Sequence, residues 1–198
     1  MSEVLARKTE EFNKGLTTVD DLARQVEDLR KKVENFRPGA EDKISIIVFS
    51  GDLDKVLAAF IIATGAVAMG MEAVMFFTFW GTPVLRDPKK KAGGKDLMGK
   101  MFGFMLPKGR NAIKLSKMNM AGMGTSMMKS LMKKKNVASL NEMLDMAADL
   151  GVKIYICDMS MNLMGFKREE FIDYPNMEYV GVATFLEQAK NSKVQLFI

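Results

Sequence analysis

Histidine is absent from the 198 residues, and cysteine occurs once, as Cys157. Without imidazole there is no Ser-His-Asp or Cys-His catalysis and no imidazole metal site. A single thiol excludes an internal disulfide, a zinc or iron–sulfur cysteine cluster and a thioredoxin-type cysteine pair. It suits a reducing, cytoplasmic setting. The glycine signatures of dinucleotide and P-loop sites are missing too. No signal peptide is expected, because Met1–Lys14 is charged and lacks an apolar centre.

Charge is scarce in one stretch. From Val56 to Leu85 the only charged residue is Glu72. Its apolar helical part, about 17 residues, is at the short limit for spanning a bilayer and is rich in Ala and Gly. The periodicity predicts a buried helix followed by a central strand. Acidic residues are scarce in another stretch. Residues 86–135 hold 14 Lys/Arg against Asp87 and Asp96, a net of +12, whereas the remainder carries −7. Such asymmetry is expected of a surface for something anionic, or of a solvated insertion kept soluble by its lysines.

What is present reads as α/β. With 48% apolar and 27% charged residues, the composition is that of a globular domain. Residues 1–37 read as a separate helical arm. Val19, Leu22, Val26, Leu29, Val33 and Phe36 follow coiled-coil spacing, with Thr18 and Asp21 at its start. Lys43–Phe49 is the first strand, Leu53–Met69 a helix and Glu72–Trp80 a second strand, a parallel βαβ opening. Residues 86–136 form a basic insertion with seven glycines and nine methionines. Amphipathic helices are expected there, near Leu97–Leu106 and Thr125–Lys134. Ser139 caps the next helix, and Gly151 follows its end. Strands at Val152–Ile156, Tyr179–Val182 and Val194–Ile198 complete a sheet of about five. Short helices are expected at Lys167–Ile172 and Ala183–Asn191.

Two places carry candidate chemistry. Cys157 follows a strand, so it lies on the ligand-binding edge of a parallel sheet. A helix starting just after it would favour the thiolate. Equally, a lone cysteine is often a small apolar core residue. Asp158 beside it works against a thiolate unless its carboxylate points away. The turn Ser50-Gly51-Asp52 opens a helix on the same edge, where it could cradle an anion or simply supply Asp52 as an N-cap. Together with Ser160, these residues outline a candidate pocket around Cys157. One-thiol chemistry remains: sulfur transfer through a persulfide, a mixed disulfide or peroxide oxidation.

Ile46–Gly51, Phe77–Leu85 (Phe-Thr-Phe-Trp-Gly-Thr-Pro-Val-Leu), Leu115–Lys135, Cys157–Gly165 and Gly181–Leu186 together resemble the DsrE/DsrF/DsrH-like sulfur-transfer family, in its larger, peroxiredoxin-labelled branch. The resemblance covers residues 43–198 and leaves the arm out. It implies a three-layer α/β/α sandwich around a mainly parallel sheet, assembled as a homo-oligomer. It implies a sulfur-carrying cysteine, which maps onto Cys157, and no cofactor. The partners it implies are a TusA-like sulfur carrier or a rhodanese. Nucleic acid is not expected; a peripheral membrane contact through the Met-rich insertion is the alternative. The peroxiredoxin label itself finds no support, since Thr-x-x-Cys is absent and a strand precedes Cys157.

Overall fold

The computed structural model describes residues 19–36, 41–95 and 97–198, with side chains of 33–36 set aside. The chain divides into two compact units, Met1–Gly39 and Ala40–Ile198. In the first, helix α1 runs Val19–Phe36. Its seam residues Val19, Leu22, Val26 and Leu29 are 50–83% exposed. Lys32 and Asp28, one turn apart, pair at 2.7 Å on its surface. The expected start at Thr18, the stop at Arg37-Pro38-Gly39 and the side chains of Val33 and Phe36 lie outside what is described.

The second unit is an α/β domain built on a five-stranded, all-parallel sheet with helices on both faces. The strands are β1 (Glu41–Val48), β2 (Glu72–Phe77), β3 (Lys153–Cys157), β4 (Met177–Val180) and β5 (Ser192–Phe197). Their order is β4-β3-β2-β1-β5. The chain therefore starts near the middle, winds outward through β2, β3 and β4, and returns to the far side of β1. Ile44, Ile46 and Val48 on β1 are all but fully buried, as expected of a strand paired on both sides.

Helices α2 (Leu53–Ala68) and α5 (Leu140–Asp149) cover one face. On α2, Val56, Ala59, Phe60 and Ala63 recur at helical spacing and are completely buried. Helix α5 begins with a reciprocal cap: Ser139 accepts from the Glu142 N–H while Glu142 accepts from the Ser139 N–H. Gly151 follows it at φ +77. The opposite face is thinner and carries α7 (Val182–Lys190), which buries only Phe185 and Ala189. Between β2 and α5 lie α3 (Leu97–Met105) and α4 (Met123–Lys134).

Two expectations need correction. The strand expected to reach Trp80 ends at Phe77, and Phe79–Leu85 forms a 3-10 helix. Phe79 turns the chain at φ +44, and Gly81 N–H then donates to the Phe49 carbonyl. The short helix expected at Lys167–Ile172 contracts to one 3-10 turn, Arg168–Glu170. Extended backbone is required there: Phe171 bridges Arg86, and Ile172 N–H donates to the Leu85 carbonyl. The helical residues lie earlier, in α6 (Asp158–Leu163).

Candidate functional site

Cys157 is the last residue of β3, opposite Val180 of β4, and also the N-cap residue of α6. Alternation along β3 splits its side chains. Ile154 and Ile156 enter the large core under α2 and α5, whereas Tyr155 and Cys157 face α7. There the thiol is 3% exposed, in a cluster with Val74, Phe76, Val180 and Phe185. Phe185 stacks on Phe76 at 4.6 Å between ring centroids, and this stack pins the short helix over the thiol-bearing face. Among the described residues no grouping of His, Cys, Asp and Glu is arranged to hold a metal ion.

Asp158 does turn elsewhere. Its Oδ1 lies 3.4 Å from an Arg168 NH2, and that guanidinium rests 4.8 Å above the Tyr179 ring. The carboxylate therefore opposes a surface cation rather than the sulfur. Nothing in the sequence marks Arg168 as that partner, ten residues away across a turn. Ser160, one turn into α6, is fully buried, and its hydroxyl shares a hydrogen bond of 2.8 Å with Thr78. It anchors α6 to the end of β2.

The Ser50 turn lies on the same sheet edge as Cys157, but β2 stands between them. Adjacent strands are about 4.8 Å apart, so two spacings separate the two places. Several N–H donors in and just after the turn are engaged. Ser50 N–H donates to the Ile198 carbonyl, Asp52 N–H to Ser50 Oγ, and Leu53 N–H to the Lys114 carbonyl. Asp52 occupies the N-cap position without a capping hydrogen bond; its carboxylate accepts from Ser50 Oγ and pairs with Lys55 at 2.9 Å. Gly51 is there for close approach: a Cβ would stand 2.3 Å from the Trp80 carbonyl oxygen. Gly81 meets Val48 in the same way, at 2.2 Å. These two close approaches lock the turns together.

The insertion is tied down by polar anchors whose partners no local pattern announces. Asp54 accepts from both the N–H and the hydroxyl of Ser116, at 2.8 and 2.6 Å. Burial pushes the Asp54 carboxyl up, but these hydrogen bonds outweigh it and hold the group below its ordinary value. Farther along, Glu170 is buried between Arg86 and Lys95.

The α/β unit is also similar in sequence to known proteins. The profile of the DsrE/DsrF/DrsH-like family matches residues 40–197. The uncharacterized protein YrkE of Bacillus subtilis is 45% identical over 156 residues, covering 79% of this chain and 96% of that protein. The sulfur carrier protein DsrE2 of Allochromatium vinosum is 36% identical over 162 residues, covering 80% of this chain and 99% of that protein.

Proposed function

The chain belongs to the DsrE/DsrF/DrsH-like family, and on that footing we propose that it traffics sulfur, holding a sulfane sulfur on Cys157 as a persulfide. The observation that carries the reading is that a relative named a sulfur carrier aligns over nearly its whole length with a chain that owns one thiol. In the first step the Cys157 thiolate attacks the outer sulfur of a donor R–S–S⁻, and R–S⁻ leaves. In the second, an acceptor thiolate attacks the outer sulfur of Cys157–S–S⁻, and the Cys157 thiolate leaves. Each step breaks one bond to the travelling sulfur and makes one, with no external oxidant. The thiol is buried, so transfer requires the α7 face to open; α7 is held down by the Phe76–Phe185 stack, by Ala189, and by hydrogen bonds from Lys43 to Gln188 and from Gln195 to the Ala189 carbonyl. A cytoplasmic setting, self-assembly and a small sulfur-carrier or rhodanese partner belong to the same proposal and rest on the family resemblance.

The test is mass spectrometry of the full chain after polysulfide or thiosulfate treatment. Cys157 should gain one sulfur atom, removable by a reducing thiol. A Cys157 that stays alkylatable yet never gains sulfur sinks the reading.

One observation favours a second reading, a docking subunit with an inert thiol. Leu97 and Phe104 of α3 are 82% and 85% exposed, with Met98, Met101 and Met105 also outward, in a segment crowded with lysines. An apolar helix face among cations suits an anionic membrane surface. Among the described residues no helix is long and apolar enough to cross a membrane. Sedimentation with phosphatidylserine vesicles that is lost in Phe104→Ser and kept in Cys157→Ala would support it; equal recovery with and without vesicles would end it.

A further inference from the structure

A second place in the molecule is built around buried charge. Arg86, just past the 3-10 helix, and Lys95, in the loop before α3, both pair with Glu170. Their side chains are 7%, 10% and 4% exposed. Among the described residues, two buried cations therefore pair with one anion, a surplus of positive charge within the cluster. Such a surplus is costly unless something balances it. The Arg86 guanidinium lies 4.5 Å from the centre of the Phe166 ring and donates to Glu170 and Pro107; its Nε has no partner among the described residues.

This cluster forms part of the wall of a cavity of about 280 Å³. Six basic side chains line it, including Lys100 and Lys108 at its rim, and its described acidic lining is Asp87 and Glu170. Lys90, among the six, is paired outward with Asp173. Helix α3 presents Gly103 here: a Cβ would come 3.6 Å from Lys95 Nζ and 3.9 Å from Arg86 NH2. A larger residue would occupy the space beside the two cations.

We infer that this cavity is a binding site for a small tetrahedral oxyanion of the sulfate or phosphate type. A doubly charged oxyanion offers what the site lacks: negative charge for the surplus cation and several acceptors for a ring of ammonium donors. Thiosulfate shares that chemistry with sulfate and phosphate. The site contains no atom of Cys157, so it stands or falls separately from sulfur transfer.

The test is titration calorimetry of the full chain in low-salt buffer free of oxyanions, with sodium thiosulfate, sulfate and phosphate in separate arms and chloride as the monovalent control. Saturable binding of one divalent oxyanion per chain is expected. Gly103→Leu, which fills the space, and Lys100→Glu/Lys108→Glu, at the exposed rim, should each weaken it on the order of tenfold or more. Lys190→Glu, outside the cavity, should leave it unchanged. Thermal unfolding confirms that each variant is folded. Preference for thiosulfate would identify a sulfane donor as the ligand, and equal affinity a general oxyanion. Absence of saturation with all three anions, or affinity equal in wild type and both cavity variants, overturns the site.

Discussion

The sheet and the segment spanning residues 86–136 use similar apolar residues to opposite ends. On β2, Met75 and Phe77 are completely buried. On α3, Met101 is 41% exposed and Phe104 is 85% exposed. The sheet's residues are held by packing. The segment puts Ile113 into the core, with Leu106 and Leu115 packed beside it, and is otherwise held at polar points: Asp54 to Ser116, Glu170 between two cations, and Thr125 between the Leu115 N–H and Asn119 Oδ1. Composition alone does not distinguish a core from a surface; what distinguishes them is whether a second layer is available to cover the residue. The sheet has helices on both faces, and nothing in the described residues covers the outer side of α3.

The contrast can be broken by substitution. Phe77→Ala should cost about 3–5 kcal/mol in urea unfolding, since it empties a fully enclosed site. A loss under about 1 kcal/mol would mean that the sheet's core is not close-packed. Glu170→Gln should cost about 3 kcal/mol at neutral pH by leaving Arg86 and Lys95 without their carboxylate. This cost depends on pH. Burial raises the Glu170 carboxyl, but hydrogen bonds from Lys95 and the Lys167 N–H, with the Lys95 charge, outweigh it and hold the group below its ordinary 4.5. The wild-type advantage should be full above that pH and fade as pH falls through the lower folded-state value. Unfolding midpoints that differ equally at neutral and strongly acidic pH would contradict the pairing.

Phe185→Ala removes the stack that pins α7 and should speed alkylation of Cys157 on the order of tenfold under native conditions. Wild-type Cys157 reacting as fast as a free thiol would show that the buried state is not what reagents meet. The smallest effect is expected from Phe104→Ser, within about 0.5 kcal/mol of wild type. A large loss there would show that α3 is covered in solution.

Periodicity made most elements legible, because burial acts on every turn of a helix and every second residue of a strand. The strand at Lys43–Phe49, the helix from Leu53 and the capped helix after Ser139 match β1, α2 and α5 closely. The reading failed at Phe79 and Trp80, because their β-forming side chains say nothing of the backbone reversal imposed by the Gly51 and Gly81 contacts. It failed again at Lys167–Ile172, where pairing with Leu85 and Arg86 overrides helix propensity. At the site, the position of Cys157 at a strand end was legible, and its neighbours were not. Whether Asp158 opposed the sulfur turned on Arg168, and whether Ser160 faced a ligand turned on Thr78.

A single thiol, the lack of histidine, a parallel α/β frame and a basic segment can be read from the chain alone, because residue counts and local periodicity need no tertiary information. The folded chain alone reveals that the thiol lies under α7, that the Gly51 and Gly81 turns interlock, and that Arg86 and Lys95 meet over one carboxylate. Those facts depend on which distant segments the sheet order brings side by side, and pairing across 75 or 84 residues leaves no mark on local sequence.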